Sequence, residues 1–231
     1  MGKHKVFFTV IKEINRPDQK IIDQFRKHSV ATIGDAMGGY GILHHEIKPI
    51  ATGMKVLGPA CTVLTKPGDA LFLQKVADVA QKGDVVVVDA GGVKEMAVFG
   101  ERIAYYMKEI RDISGIIIDG GVRDIEGIRD INFPTFSRSI TPRLYSTEGP
   151  GAINVPIQCG GVNVNPGDLI LGDDDGVIVI PQSDVERVLD NTNKQLEGEL
   201  ERLNRVKNGE LLSVINNCDY KIEKWLQNTD N

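Results

Sequence analysis

The strongest candidate for chemistry in this sequence is an Arg–Asp pair, Arg123 and Asp124, in the segment IDGGVRD. Two glycines precede the pair, so the backbone can turn sharply there and a ligand can approach it closely. Arginine presents a planar fork that matches a carboxylate, and aspartate is a hard oxygen ligand for Mg²⁺ or Mn²⁺. One residue could hold the acid group of a substrate while the next holds a metal. The pair is also compatible with a structural role, in which Asp124 caps the next helix and Arg123 pairs with a surface carboxylate.

A second glycine-rich loop, AGGVKEMAVFGERIA at residues 90–104, supplies further polar groups. Gly100 and Glu101 come at the start of a predicted helix, where unpaired backbone N–H groups can bind a carboxylate. Glu101 adds an acid that could act as an outer ligand of a metal or accept a proton through water. The same residue is also typical of a solvated first helical turn, in which the helix dipole favours glutamate.

Other polar groups give weaker indications of chemistry. The acidic run at residues 173–175 has no EF-hand spacing and is predicted to form a turn between two strands. His44 and His45 are adjacent, are expected to point apart, and are assigned structural or surface roles. Lys94 is the one lysine in the two loops that could be considered for a Schiff base with a substrate, and we do not predict that it forms one. The segment GDVVVVDAGG lacks dinucleotide-binding spacing, and we find no P-loop or G-x-S-x-G motif.

The elements around the two loops predict a parallel α/β unit. DVVVVDAGG and GIIIDGG are continuous apolar strands, each closed by glycines, and a helix over roughly residues 99–113 separates them. A strand–helix–strand unit of this length implies parallel strands, so both loops should emerge at the carboxyl edge of the sheet. Ligands bind at that edge in open α/β sheets. Shorter helices are predicted over residues 20–28, 70–82 and 125–132.

The C-terminal third of the chain has a different pattern. Residues 151–181 alternate short apolar runs with turns, which predicts an antiparallel β layer. A long helix is predicted from about residue 183 to about 208, with Gly209 as its stop. It is too long and too one-sided for a compact core, so an oligomer contact is expected. The tail after Leu212 is expected to be loosely held. We therefore predict one domain over residues 1–231, with its core at about 20–181.

Composition excludes several classes of protein. The 231 residues carry a net charge of −5 without clustered Lys/Arg, so no nucleic-acid partner is expected. No run approaches the roughly 18 apolar residues of a membrane span, and the N-terminal stretch VFFTVI is too short for a signal peptide. The three cysteines, Cys61, Cys159 and Cys218, have no disulfide or zinc spacing. The sequence thus predicts a soluble, cytoplasmic protein.

Six segments in unbroken order have a recognisable pattern: GPACTV (58–63), PGDALFL (67–73), GDVVVVDAGG (83–92), AVFGERIA (97–104), GIIIDGGVRD (115–124) and VNPGDLILGDDDGVIVIP (164–181). Together they resemble the RraA-like family, which includes 4-hydroxy-4-methyl-2-oxoglutarate and carboxy-hydroxy-oxoadipate aldolases. The resemblance covers roughly residues 20–210 and implies a swivelling β/β/α domain with a mixed sheet and a long C-terminal helix, assembled as a homotrimer or hexamer.

The resemblance also implies roles for individual residues. Asp124 would anchor Mg²⁺ or Mn²⁺, Arg123 would contact the substrate, and Glu101 would be the upstream acid. The family's acid lies one residue nearer the Arg–Asp pair than Glu101 does. We expect the extra residue in the loop KEIRDISG, which leaves the site intact; an extra residue inside the helix would instead rotate Glu101 away from the site. The backbone amides around residues 98–102, those of Gly100, Glu101 and Arg102 among them, would bind a substrate carboxylate.

An acid on the neighbouring subunit's C-terminal helix would complete the family's site, so the active site would be shared between chains. Glu199 is our candidate, with Glu197 and Glu201 as alternatives.

The activity implied is that of a metal-dependent lyase, a class II aldolase that releases pyruvate from a 4-hydroxy-2-oxo dicarboxylic acid, with oxaloacetate decarboxylation as a side activity. The alternative is a non-catalytic interaction protein, because some relatives inhibit an RNA-degrading endonuclease and lack the intact Arg–Asp pair. A methyltransferase, a label that such sequences sometimes carry, would need a nucleoside-binding glycine loop that we do not find. The retained Arg123 and Asp124 favour the enzyme.

Overall fold

The computed structural model describes residues 8–229. Residues 1–7, which include the start of the VFFTVI stretch, and residues 230–231 lie outside the described residues. The strands within the described range are β1 (Phe8–Val10), β2 (Lys48–Pro49), β3 (Val56–Thr65), β4 (Val85–Asp89), β5 (Ala97–Phe99), β6 (Gly115–Val122), β7 (Thr135–Ile140), β8 (Gly151–Ile153), β9 (Ile157–Cys159), β10 (Val162–Val164), β11 (Leu169–Asp173) and β12 (Gly176–Ile180).

Helices flank these strands. They are α1 (Gln19–Gln24), α2 (Val30–Ala36), α3 (Leu71–Val79), α4 (Glu101–Tyr105), α5 (Ile125–Asp130), α6 (Val185–Lys207), α7 (Leu212–Ile215) and α8 (Cys218–Thr229). A 3₁₀ turn, Phe25–Lys27, continues α1, and a π-helical turn, Tyr106–Ile110, continues α4. Another 3₁₀ turn, Gln182–Asp184, precedes α6.

The centre of the main sheet is parallel, in the order β3–β4–β6–β7. Strands β8 and β11 pair antiparallel with β3, and β11 turns directly into β12. The predicted α/β fold with a mixed sheet and a long C-terminal helix is therefore confirmed. Asp89 ends β4 and lies opposite Asp119 of β6, so the first glycine loop and the end of β6 lie towards the same edge. The strand β6 does not end at its two glycines as predicted; it continues through Gly121 to Val122, which pair with β5 and β7.

Alternate residues of the central strands face two different layers. Val86 and Val88 of β4 pack towards α3 and α4, whereas Val85 and Val87 pack towards β9, β11 and β12. All four side chains are fully buried, and each contributes roughly 1.5–3 kcal/mol through burial. Burial on both faces explains why these strands are continuous Val/Ile runs. The result is a β/β/α sandwich in which the parallel strands form the middle layer.

Several local predictions were wrong. The helix predicted over 70–82 ends at Val79, and the start of the one predicted over 99–113 is the end of strand β5. Residues 135–140 form a strand, β7, that we did not predict, and the helices α7 and α8 of the tail were not predicted either. Most described residues of the tail are exposed, and its loose attachment stays a prediction. The rings of His44 and His45 do not point apart; their centroids are 4.4 Å apart, because the pair lies outside regular structure.

Other local predictions are confirmed. In the acidic run, Asp173 ends β11 and Asp174 and Asp175 form the turn to β12; the carboxylates of Asp173 and Asp174 accept backbone N–H groups. Cys61 and Cys159 are buried core residues. Helix α6 forms over almost the predicted range and buries its first half; Leu200, Leu203 and Val206 remain exposed. Among the described helices, none is long and apolar enough to cross a membrane.

Candidate active site

The Arg–Asp pair lies where β6 leaves the sheet. Every residue of β6 is buried, and the N–H of Arg123 donates to the Phe99 carbonyl at 3.0 Å, which ties the pair to the end of β5. Asp124 follows with φ of 57°, a left-handed conformation that costs a non-glycine residue about 1 kcal/mol or more. Strain of this kind is typical of functional sites, because the surrounding structure must hold it in place.

Asp124 does not use its side chain to cap α5. It occupies the N-cap position, but its carboxylate makes no capping hydrogen bond and is 44% exposed. The carboxylate turns instead towards Gly100, at the start of α4, where a methyl group added to the glycine would lie 2.3 Å from Oδ2. Asp124 therefore does not have the helix-capping role that the sequence also allowed; its carboxylate forms an ion pair with Arg123 at 3.5 Å and remains accessible to a ligand.

Arg123 also has a polar atom without a hydrogen bond in the described part of the chain. Its Nε atom is buried, has no hydrogen-bond partner among the described residues, and lies 3.5 Å from Oδ2 of Asp124. The guanidinium carbon lies 5.4 Å from the centre of the Tyr145 ring, a cation–π contact that fixes its position. A buried donor without a partner is costly, and a ligand oxygen would satisfy it.

A pocket of about 160 Å³ connects these groups. It is lined by Gly100, Arg102, Ile103, Arg123, Asp124 and Tyr145. The structure thus brings together four residues that the sequence singled out, two from the α4 loop and two from the end of β6. An open hollow on the other side of the Arg–Asp pair is lined by Ile125, Ile140, Thr141 and Pro142.

Glu101 lies beside this pocket and does not line it. Its side chain is directed at Gly127 in the first turn of α5, where an added methyl group would lie 2.2 Å from the carboxyl carbon. The carboxylate therefore lies next to the helix that Asp124 begins. The absence of a side chain at Gly127 makes room for it.

The C-terminal-helix acids lie apart from the pocket of their own chain. Glu199 accepts a hydrogen bond from the Thr32 hydroxyl of α2 at 3.2 Å. Glu197 and Glu201 are exposed on α6. None of the three lines the pocket that contains Arg123 and Asp124.

Two residues important to the geometry were missed from the sequence. Tyr145 reaches Arg123 from an irregular segment after β7, where no periodicity marks it. Asp69 is fully buried, and its carboxylate accepts the hydroxyl of Ser146 at 2.6 Å and the N–H groups of Glu148 and Gly149 at 2.7 and 3.0 Å. Burial raises the pKa of Asp69, but these bonds and one from the Leu71 N–H outweigh it, so the pKa is lowered. Asp69 therefore anchors the segment that carries Tyr145.

A charged network stabilises the first glycine loop. The Asp119 carboxylate accepts the Gly160 N–H at 2.6 Å and also pairs with Arg138, while its carbonyl accepts the Gly92 N–H at 3.0 Å. Arg138 in turn donates to Glu46 at 3.0 Å. The hydrogen bond to Asp119 raises the pKa of Arg138. Asp119 and Glu46 are therefore engaged in this network and do not line the pocket. Asp124 is the one carboxylate among the residues that line it.

Comparison with known proteins finds a matching family model and similar sequences. The family model described as RraA-like, Aldolase/RraA, matches residues 30–179. A Halalkalibacterium halodurans protein with the name "Putative 4-hydroxy-4-methyl-2-oxoglutarate aldolase" is 42% identical over 174 residues, which are 75% of this chain and 82% of that protein. The 4-hydroxy-4-methyl-2-oxoglutarate aldolase of Thermus thermophilus is 32% identical over 114 residues, 49% of this chain and 69% of that protein.

A solved structure is similar as well. Streptomyces coelicolor RraAS2, described as an unusual member of the RNase ES inhibitor RraA protein family, superposes with a TM-score of 0.73 at 28% identity. The match covers 83% of this chain and 100% of that one.

Proposed function

This chain belongs to the RraA-like family, and from that premise we propose that it is a divalent-metal-dependent aldolase. Its substrate would be a 4-hydroxy-2-oxo dicarboxylic acid, such as 4-hydroxy-4-methyl-2-oxoglutarate, which splits into two pyruvates. The observation that carries the proposal is the carboxylate of Asp124, which makes no capping hydrogen bond and shares a pocket with Arg123, whose buried Nε has no hydrogen-bond partner among the described residues. The names of the similar aldolases support the same reaction class.

The groups around Asp124 fit a hard cation. Mg²⁺ is commonly held by one or two carboxylates, with water and substrate oxygens filling its other positions. Within residues 8–229 there is no cluster of three or more His, Cys, Asp or Glu side chains that could together coordinate a metal ion. Asp124 would therefore hold the cation, and an acid of a neighbouring chain would help it. When bound, Mg²⁺ or Mn²⁺ supplies Lewis-acid polarisation of the 2-oxo group.

The protein's own groups account for the other charge movements. Breaking the C3–C4 bond moves an electron pair towards the 2-oxo oxygen, and the Arg123 guanidinium stabilises the negative charge that develops there. The N–H groups of Gly100, Glu101 and Arg102 at the start of α4 would bind the adjacent carboxylate. Oxaloacetate decarboxylation develops the same charge and needs no base, so we expect it as a side activity.

A base must remove the proton of the 4-hydroxyl group. Glu101 is our candidate, acting through water because its carboxylate lies at Gly127 and outside the pocket lining. Glu101→Gln should then lower kcat by about 10- to 100-fold, the usual effect of an outer-shell group. Unchanged kcat in this variant would remove Glu101 from the mechanism.

The decisive test is pyruvate release from 4-hydroxy-4-methyl-2-oxoglutarate and from oxaloacetate, with Mg²⁺ or Mn²⁺ and again with EDTA. Asp124→Asn should abolish both reactions. Asp130→Asn, at the exposed opposite end of α5, is the matched control and should keep full activity. Activity that survives EDTA or Asp124→Asn would overturn the proposal.

We further propose that the active site is shared between subunits of a homotrimer or hexamer. The exposed Leu200, Leu203 and Val206 on α6 support an intersubunit contact near Glu197, Glu199 and Glu201. Complementation tests this directly. An Asp124→Asn chain, mixed with a chain that lacks the essential one of these glutamates, should regain activity, because some mixed sites contain both native residues. If no mixture regains activity, the site is not shared.

The second candidate function is a non-catalytic regulator of RNase activity, favoured by the similarity to RraAS2. Absence of pyruvate release from either acid, together with inhibition of an RNase E-type endonuclease, would favour this function. For the enzyme we propose a cytoplasmic location and no nucleic-acid or membrane partner. Cys61, Cys159 and Cys218 are free thiols, which supports that location.

A further inference from the structure

Arg102 occupies a junction between two cavities. Arg102 lines the pocket that contains Arg123 and Asp124, and it also lines an adjoining hollow of about 410 Å³. The other residues of that hollow are Gln74, Ala77, Ile103 and Tyr106. A molecule bound at Asp124 that is too long for the first pocket would therefore pass Arg102 on its way into the hollow.

The guanidinium of Arg102 is free for a ligand. Arg102 is exposed and makes no hydrogen bond or ion pair with any residue that the structure describes. Several other arginines of the chain are engaged, since Arg16 pairs with Asp84, Arg129 donates to the Ile50 carbonyl and Arg138 pairs with Asp119. No contact within the fold thus explains the position of Arg102.

The charge of the pocket is unbalanced. Its lining carries two guanidinium groups, Arg102 and Arg123, and a single carboxylate, Asp124. A divalent cation would add to the positive excess. One carboxylate of a substrate would leave part of that excess unpaired, whereas a second carboxylate would match the second guanidinium.

We propose that Arg102 binds the remote carboxylate of the substrate and sets the preference for dicarboxylic over monocarboxylic 2-oxo acids. This inference rests on the proposed function, since it assumes that the 2-oxo end lies at Arg123 and Asp124. The part of the substrate beyond its fourth carbon then points towards Gln74 and Tyr106.

A binding experiment tests the inference without turnover. The ligands are 2-oxoglutarate and 2-oxopentanoate, which share a five-carbon chain and differ in the terminal carboxylate; neither has the 4-hydroxyl group that cleavage needs. Calorimetry with Mg²⁺ should show that the unmodified protein prefers 2-oxoglutarate by about tenfold or more, the effect of one charge-assisted hydrogen bond. Arg102→Gln should reduce that preference to about twofold and leave 2-oxopentanoate binding unchanged.

Two further variants sharpen the result. Arg102→Lys should keep part of the preference, because it retains the charge and loses the planar fork. Arg26→Gln removes an exposed arginine away from the pocket and should change neither affinity. Equal weakening of both ligands by Arg102→Gln, or no preference in the unmodified protein, would overturn the inference. If the protein clearly prefers 2-oxoglutarate to 2-oxopentanoate but releases no pyruvate, the aldolase proposal is overturned and the inference about Arg102 stands.

Discussion

Gly100 and Asp124 are in such close contact that a side chain at position 100 would require the Asp124 carboxylate to move. A methyl group on Gly100 would lie 2.3 Å from Oδ2 of Asp124 and 3.2 Å from its carboxyl carbon. The φ of Gly100 is −162°, which any residue adopts, so the requirement for glycine comes from this contact and not from the backbone. The same contact places the Asp124 carboxylate at the start of α4.

Gly100→Ala should therefore displace the Asp124 carboxylate. We expect pyruvate release to fall by at least about 100-fold, because a shift of about 1 Å at a reacting centre has an effect of that size. The free energy of unfolding should fall by about 1–3 kcal/mol, the usual cost of overpacking. Steady-state kinetics and urea unfolding measure the two effects.

A double-mutant cycle isolates the cause of that destabilisation. In an Asp124→Gly background the carboxylate is gone, so adding Gly100→Ala should change the free energy of unfolding by less than about 0.5 kcal/mol. An equal loss of stability in both backgrounds would show that the methyl group collides with something other than Asp124.

The strained backbone of Asp124 predicts opposite effects for two small replacements. Asp124→Gly and Asp124→Ala both remove the carboxylate and should both abolish activity. At φ of 57°, however, glycine is unstrained and alanine is not. We expect Asp124→Gly to unfold with a free energy about 1 kcal/mol higher than Asp124→Ala, as measured in urea. Equal stabilities would mean that the backbone relaxes when the carboxylate is lost.

The contact between Tyr145 and Arg123 predicts a graded effect on catalysis. Tyr145→Phe retains a ring face 5.4 Å from the guanidinium carbon and should keep most of kcat. Tyr145→Leu removes the cation–π contact, worth about 0.5–1 kcal/mol at a partly exposed site, and should lower kcat/KM by about two- to fivefold. A larger loss in Tyr145→Phe than in Tyr145→Leu would instead assign the role to the phenol hydroxyl.

The parts of this fold that the sequence predicted are those with local signals. The Val/Ile runs of β4 and β6 and the one-sided periodicity of α6 mark buried strands and an amphipathic helix. Strands β5 and β7 were not predicted. Each depends on pairing with β6, a tertiary contact that local sequence does not encode.

The same division applies to the candidate site. Arg123 and Asp124 could be predicted because glycines and an apolar strand precede them directly. Tyr145 could not, because it contacts Arg123 only after the chain has passed through α5 and β7. The direction of the Glu101 side chain was also beyond prediction, since it depends on the gap at Gly127 in another helix.

The buried carboxylate of Asp69 predicts a loss of stability in acid. Burial alone would raise its pKa, but its hydrogen bonds to Ser146 and to three backbone N–H groups outweigh that effect, so the pKa is lowered in the folded protein. An unfolded aspartate has a pKa of about 3.9. The stabilisation is therefore complete above that pH and is lost as the pH falls through the folded pKa, where the folded protein also takes up the proton.

Asp69→Asn should remove this contribution, because the amide does not titrate. Urea unfolding between about pH 6 and pH 2.5 should show a shallower decline in the variant than in the unmodified protein, together with lower stability near neutrality. Asp130→Asn, an exposed aspartate without such contacts, should keep the original slope. Because Asp69 anchors Ser146, next to Tyr145, Asp69→Asn should also lower kcat/KM at neutral pH by a factor similar to that of Tyr145→Leu. A variant with an unaltered slope but reduced kcat/KM would show that Asp69 positions Tyr145 without contributing to the acid sensitivity.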